Sequence, residues 1–212
     1  MPVLPTVNVQ VLAALVILAT AADWVLIRPR GLRVQAPRSV IARKSTPPWV
    51  DGAWIGGNLA VVSWSLAVLL LPAYAYDWPR ISDQPFLGAL QAIGFALALV
   101  GGVLFFTSVR ALGRHMTVAI QVQEGHRLVR EGPYRFVRHP AYTGLLTSSV
   151  GLSLLYLSPI LAGLTLVIIA LAMYRSILEE RLLRSPEGFG SAYDEYVSET
   201  GRFLPRFLRR KH

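Results

Sequence analysis

Apolar residues fall in long unbroken blocks along this chain, neither alternating nor recurring at the spacing of one helix face. Three blocks, Val9 to Ile27, Trp54 to Tyr76 and Phe86 to Phe106, are long enough to cross a hydrocarbon core of roughly 30 Å as helices, which takes about 20 residues. Two shorter blocks, Tyr142 to Leu157 and Ile160 to Tyr174, are separated only by Ser158-Pro159, a connection suited to a tight helical hairpin. The pattern predicts an all-α integral membrane protein with about five transmembrane helices, built as a single membrane domain over residues 1–212. The first three spans occupy 1–109, and 110–205 hold a cytoplasmic connector, the helical hairpin and a tail.

The polar segments between blocks differ in kind. The 28–52 connector carries Pro29, Pro37, Pro47 and Pro48 and reads as an interfacial loop. Between the third and fourth blocks, Thr117 to Gln123 alternates apolar Val118, Ile120 and Val122 with other residues, the period of a strand. Glu124-Gly125 then offers a turn, and His126 to Val129 a returning strand, so a short hairpin against the helix ends is expected. Gly132-Pro133 is a second turn, Tyr134 to Arg138 one helical turn, and Pro140 suits the first turn of the fourth span, where its missing N–H costs nothing. Past the last block, Tyr174 to Leu183 continues the helix without a breaker. A Gly-rich break, a short helix bearing Tyr193 and Tyr196, and Pro205 as a stop then form a tail that would fold back under the bundle.

Charge assigns the two sides. The chain has 21 Lys and Arg against 12 Asp and Glu, a net charge of +9, and 53% apolar residues. Arg28, Arg30, Arg33, Arg38, Arg43 and Lys44 follow the first span, and Arg110, Arg114, Arg127, Arg130, Arg135 and Arg138 follow the third. Eight more basic residues lie from Arg175 to Lys211, which leaves only Arg80 in the opposite connectors. Cytoplasmic loops are enriched in Lys and Arg, so the N-terminus is expected outside and the C-terminus in the cytoplasm. The charge then reads as orientation and contact with lipid headgroups. No nucleic-acid motif accompanies the arginines, and no nucleic-acid partner is expected. The absence of cysteine excludes disulfides, a thiolate nucleophile and S-lipidation. The first block has no basic segment before it and no small-residue cleavage site after it, and so reads as a retained helix.

Candidate chemistry gathers on the basic side, in Gly132 to Gly144, GPYRFVRHPAYTG. A helix N-terminus leaves N–H groups unpaired and carries partial positive charge, and Arg138 would add a full one, which makes an anion site at the membrane edge. Histidine is the residue type suited to exchanging protons in this pH range, which singles out His139, and Tyr134 and Tyr142 add ring faces with hydroxyl handles. The same residues would equally serve as an interfacial anchor, where Arg snorkels and Tyr sits at headgroup level. His115 and His212 receive no role. In the second cluster, Arg175 and Glu179 share a helix face next to the apolar span and are expected to share a polar pocket, because ionisable groups near membrane depth are costly unless partnered. Glu180 and Arg184, at the same spacing, are expected to form an exposed helix salt bridge.

The ordered set His126, Leu128, Val129, Gly132, Pro133, Tyr134, Arg138, His139, Pro140, Tyr142 and Gly144, then Arg175, Glu179, Glu180 and Leu183, then Phe189, Gly190, Tyr193, Tyr196, Arg202, Phe203 and Pro205 resembles the isoprenylcysteine carboxyl methyltransferases and related phospholipid methyltransferases. The resemblance covers roughly the C-terminal half. It implies a membrane transferase using S-adenosylmethionine, with the connector and tail forming the cofactor pocket. It assigns cofactor contacts to His126, Arg127, Leu128, Val129, Tyr134, His139, Pro140, Ala141, Tyr142 and Glu179, with Arg138 beside them, and places Arg175 on the substrate side. The family's Gln before the His126 segment falls by counting on Ala119, with Gln121 or Gln123 as substitutes.

The implied acceptor is lipophilic: a prenylated peptide carboxylate, a lipid amine, a quinone or a thiol. A carboxylate would need only Arg175 to orient it, whereas an amine or thiol would call on Glu180 or His139 as base. The rivals are an NADPH-dependent membrane sterol-type reductase, which shares an Arg-His-Pro-x-Tyr pattern, and a non-enzymatic membrane protein with a vestigial pocket. Oligomeric state is left open.

Overall fold

The computed structural model describes residues 4–27, 40–43, 46–76, 86–116 and 119–206. Helix α1 runs Thr6–Ile27, α2 Pro48–Leu70, α3 Pro72–Ala75, α4 Leu87–Leu112, α5 Pro140–Tyr156, α6 Pro159–Leu183 and α7 Ser191–Glu199, with strands β1 at Val40–Arg43 and β2 at Gln121–Gln123. Among the described residues, α2, α4 and α6 are long and apolar enough to cross a membrane, and Thr6–Ala22 of α1 is a shorter apolar helix. Large apolar side chains such as Val11, Leu15, Leu59, Leu66, Val100, Val103 and Leu166 point outward from these helices. Such a surface is costly in water and ordinary in lipid.

Boundaries follow local chemistry. Pro48 starts α2 at its first turn, six residues before the expected Trp54, because a missing N–H is harmless there. Leu71, at φ −135° and ψ 55°, and then Pro72 break the helix, so the end of the expected second span is the separate short helix α3. No breaker stands between Phe106 and Leu112, and α4 runs on past the expected end to Gly113, whose φ of +50° suits glycine. The hairpin between α5 and α6 turns on Leu157 in the left-handed region, and Ser158 Oγ accepts the Leu161 N–H at 3.3 Å.

Helices α4 and α5 pack through small residues: Gly94, Ala98 and Gly101 face Gly144, Ser148 and Gly151. A Cβ added at Gly144 would lie 2.5 Å from the Phe105 nitrogen and 2.7 Å from the Gly101 oxygen, so backbone meets backbone here. Close approach of this kind substitutes van der Waals contact for the hydrophobic drive that lipid cannot supply. Polar side chains enclosed between the helices find specific partners. Gln91 Nε2 donates to the Leu155 carbonyl at 3.0 Å while its Oε1 accepts the Leu4 N–H at 2.8 Å, and the Tyr156 hydroxyl donates to Ser65 Oγ at 2.7 Å.

The expected connector hairpin does not form. Gln121–Gln123 is a strand, but its antiparallel partner is Val40–Arg43, from the connector read as an interfacial loop, with an irregularity between Val40 and Ala42. His126 to Val129 leave the turn at Glu124-Gly125 with no strand partner among the described residues and line a cavity instead. The alternation has a consequence all the same: Ile120 and Val122 bury against Leu178 and Leu182 of α6, fixing the connector to that helix. Val118 lies outside the described residues, as do Arg28, Arg30, Arg33, Arg38, Lys44, Arg80, Arg209, Arg210, Lys211 and His212. Tyr134 belongs to a 3₁₀ turn over Gly132–Arg135, shorter than the expected turn to Arg138.

Candidate functional site

Pro140 opens α5 and leaves His139 at its N-cap. The tail returns to this point: the N–H groups of Arg138 and His139 donate to the Gly201 and Arg202 carbonyls at 2.8 and 3.0 Å, and Thr143 Oγ1 donates to the Phe203 carbonyl at 3.0 Å. The Tyr196 hydroxyl of α7 donates to the Tyr134 carbonyl at 2.6 Å. Together these bonds close a cavity between the connector, the ends of α5 and α6, and α7.

The cavity collects most of the residues singled out in the sequence. His126, Arg127, Leu128, Val129, Tyr134, Arg138, His139, Ala141, Tyr142, Arg175 and Glu179 line it, along with Gln121 and Ala119. Pro140 and Glu180 are not in its wall. The Arg127 side chain is largely exposed and pairs with Glu131 at 2.7 Å, a surface contact of little energetic weight. Tyr142 links the two acidic and basic poles: its hydroxyl donates to Glu179 Oε2 at 3.2 Å and is hydrogen-bonded to Arg175. Its ring stacks near His139 at 5.5 Å and takes the edge of Trp54 at 5.1 Å.

Glu180 corrects an expectation. Instead of an exposed pair with Arg184, its carboxylate is buried and accepts from Arg138 Nε at 2.9 Å, Arg202 Nε at 3.0 Å and Arg202 Nη2 at 2.8 Å, with His139 Nε2 at 3.3 Å. Arg184 pairs with Asp194 at 3.1 Å. Spacing along one helix could not show this, because both guanidinium partners arrive from other segments. Arg138 changes with it: its guanidinium is committed to Glu180 and the Thr200 carbonyl, and the nearby N–H groups to the tail. The positive charge of Arg138 therefore clasps the tail instead of standing free beside the start of α5. A carboxylate held by two guanidinium groups is also a poor proton acceptor.

Sequence reasoning passed over other residues of the site. His115 lines the cavity and stacks on His126 at 5.2 Å with ring planes 6° apart, while Phe189 meets His126 edge-on at 5.6 Å. Asp51 in the first turn of α2 pairs with Arg175, whose guanidinium also lies 5.7 Å from the Trp54 ring. Only an acidic residue beside Pro47-Pro48 marked Asp51 in the sequence. Tyr193, a motif residue, is buried in the cavity wall, and its hydroxyl has no hydrogen-bond partner among the described residues. Burial, with Glu180 and Glu179 nearby, pushes the Tyr193 phenol up, and burial does the same for Tyr134 and lifts Tyr196 to about 12. All three stay protonated donors at physiological pH.

The donor set suits a ligand with a cationic centre, an aromatic base and hydroxyls. Glu179 would supply the anion for the positive part, the rings of Tyr142, His139 and Phe189 offer flat apolar faces, and the Tyr193 hydroxyl, without a partner among the described residues, is a donor for a ligand acceptor.

The chain matches the isoprenylcysteine carboxyl methyltransferase (ICMT) family over residues 92–185. A probable protein-S-isoprenylcysteine O-methyltransferase of Oryza sativa subsp. indica is 30% identical over 148 residues, covering 68% of this chain and 75% of that protein. Protein-S-isoprenylcysteine O-methyltransferase B of Arabidopsis thaliana is 33% identical over 119 residues, 55% of this chain and 59% of that protein. A solved structure of the eukaryotic intramembrane Ras methyltransferase ICMT superposes with a TM-score of 0.54 at 22% identity, covering 86% of this chain and 60% of that one, a likeness of fold.

Proposed function

Since the chain belongs to the isoprenylcysteine carboxyl methyltransferase family, we propose that it carries the methyl group of S-adenosylmethionine to the carboxylate of an isoprenylcysteine-type acceptor at the cytoplasmic edge of the membrane. The observation that carries this reading is the meeting of Tyr142, Glu179 and Arg175 in one cavity wall, with a cation and an anion joined through one phenol. S-adenosylmethionine, when bound, supplies a methyl group activated by its sulfonium. Glu179, His139, Tyr142, the Tyr193 hydroxyl and the His126 to Val129 segment, all in the cavity lining, would hold it. Arg175 orients the acceptor carboxylate. No general base is needed for a carboxylate nucleophile, so positioning and exclusion of water supply the catalysis. Glu180 then acts through the clasp, not on the reacting atoms. Helices α1 and α5 complete five spans with α2, α4 and α6, and the basic connectors set the cavity on the cytoplasmic side.

The test is calorimetric binding of S-adenosylhomocysteine to detergent-purified protein, with NADPH run beside it, followed by methyl transfer to N-acetyl-S-farnesylcysteine. Micromolar binding that is lost in both His139→Ala and Glu179→Ala, with carboxyl methylation of the farnesylcysteine, is the expected result. Binding of NADPH alone would overturn the assignment in favour of a reductase.

A further inference from the structure

In the proposed reaction Arg175 orients the acceptor, yet its guanidinium is already engaged. Its Nη1 donates to Asp51 Oδ1, and Asp51 Oδ2 in turn accepts the Thr46 hydroxyl at 2.5 Å. The two ends of this pair differ in access: the Arg175 side chain is 2% exposed and that of Asp51 is 33% exposed. A buried guanidinium is costly without an anion, so something must hold its charge when no substrate is present. Asp51 is supplied by α2, a helix outside the matched region of 92–185, while Arg175 is supplied by α6 within it.

We propose that Asp51 is a placeholder carboxylate, which balances Arg175 in the empty site, gives way to the acceptor carboxylate, and returns once methylation has made that group neutral. The proposal rests on the isoprenylcysteine carboxylate reading above. Two carboxylates competing for one guanidinium repel each other, so each molecule of acceptor binds against Asp51. Asp51 has somewhere to go, because the first turn of α2 and the Thr46 hydroxyl stabilise its charge without Arg175. The acceptor exchanges anion for ester on methylation and loses its hold on Arg175, whereas Asp51 keeps its charge. Asp51 thereby lowers affinity for substrate and product together, but acts as a release device for the ester. No bond to Asp51 forms or breaks and no proton moves.

The experiment compares N-acetyl-S-farnesylcysteine, its carboxamide and its methyl ester on the intact protein, wild type against Asp51→Asn and Thr46→Val, with S-adenosylhomocysteine binding as the check of folding. Asp51→Asn is expected to lower KM and Kd for the acid about three- to tenfold, and to strengthen inhibition by the two neutral analogues, carboxamide and methyl ester, alike but by less. Thr46→Val, which removes the hydroxyl that holds the displaced Asp51 carboxylate but keeps its charge, should shift the acid in the opposite direction, raising its KM modestly, and decides the matter if Asp51→Asn fails to hold S-adenosylhomocysteine. An acid KM that is unchanged or raised in Asp51→Asn, or unchanged or lowered in Thr46→Val, while S-adenosylhomocysteine still binds would overturn the placeholder role and leave Asp51 as a support for Arg175. Wild-type protein that neither binds nor methylates the acid would instead overturn the carboxylate reading, and the placeholder with it.

Discussion

At the scale of single residues, the site holds one buried hydroxyl, that of Tyr193, with no hydrogen-bond partner among the described residues. The Tyr193 hydroxyl costs stability in its present surroundings, since a buried donor without an acceptor forfeits its hydration. Tyr193→Phe should therefore leave thermal stability unchanged or slightly raised, yet weaken S-adenosylhomocysteine binding about fivefold to thirtyfold, corresponding to roughly 1–2 kcal/mol for one hydrogen bond. A scan of thermal unfolding beside a calorimetric titration reads both signs, and a loss of stability without a loss of affinity would make the tyrosine a packing residue. Glu180 behaves in the opposite way. It is fully paired, and Glu180→Gln would strand the mostly buried guanidinium of Arg138 without its anion. The expected cost is about 3–5 kcal/mol, measurable as a fall in the unfolding midpoint. If Glu180 were instead a proton acceptor, the same variant would fold normally and lose only turnover.

At the scale of elements, the close approach of α4 to α5 sets the position of the site, because α5 carries His139 and Tyr142 at its start. Gly144→Val would push its side chain into the backbone of Phe105 and Gly101. Folded protein recovered by size-exclusion chromatography should drop severely, whereas Gly163→Val on α6, where an added Cβ meets nothing within 4 Å, should be tolerated. This contrast explains a limit of sequence reading. The hydrophobic blocks announce helices, but a glycine inside a block looks the same whether it faces lipid or another backbone. The connector strand teaches a related lesson. Its alternation was legible, and Ile120 and Val122 do face α6, but its partner came from Val40–Arg43 rather than the adjacent His126 to Val129. Strand period gives the buried face and not the partner, which backbone hydrogen bonding across the fold selects.

At the scale of the whole molecule, the proposed orientation makes a direct prediction. The natural chain has no cysteine, so single cysteines report without background. Gly125→Cys, at the exposed turn beside the cavity, should react with a membrane-impermeant maleimide from the cytoplasmic side of sealed vesicles. Tyr74→Cys, in the exposed α3 at the far end of α2, should react from the other side. Labelling of both positions from one side would overturn the arrangement of the spans.

The sequence by itself determined a helical membrane protein, the break between α5 and α6 at Ser158-Pro159, the start of α5 at Pro140, and most of the cavity wall. These features rest on local causes, namely hydrophobic length, proline chemistry and a motif confined to nearby segments. Only the tertiary structure decided who pairs with whom. Glu180 joins Arg138 and Arg202, Arg175 joins Asp51, and His115 stacks on His126 in the cavity lining. A buried charge takes whichever counter-charge the packing of distant elements brings within reach, and that choice has no signature in the spacing along one helix.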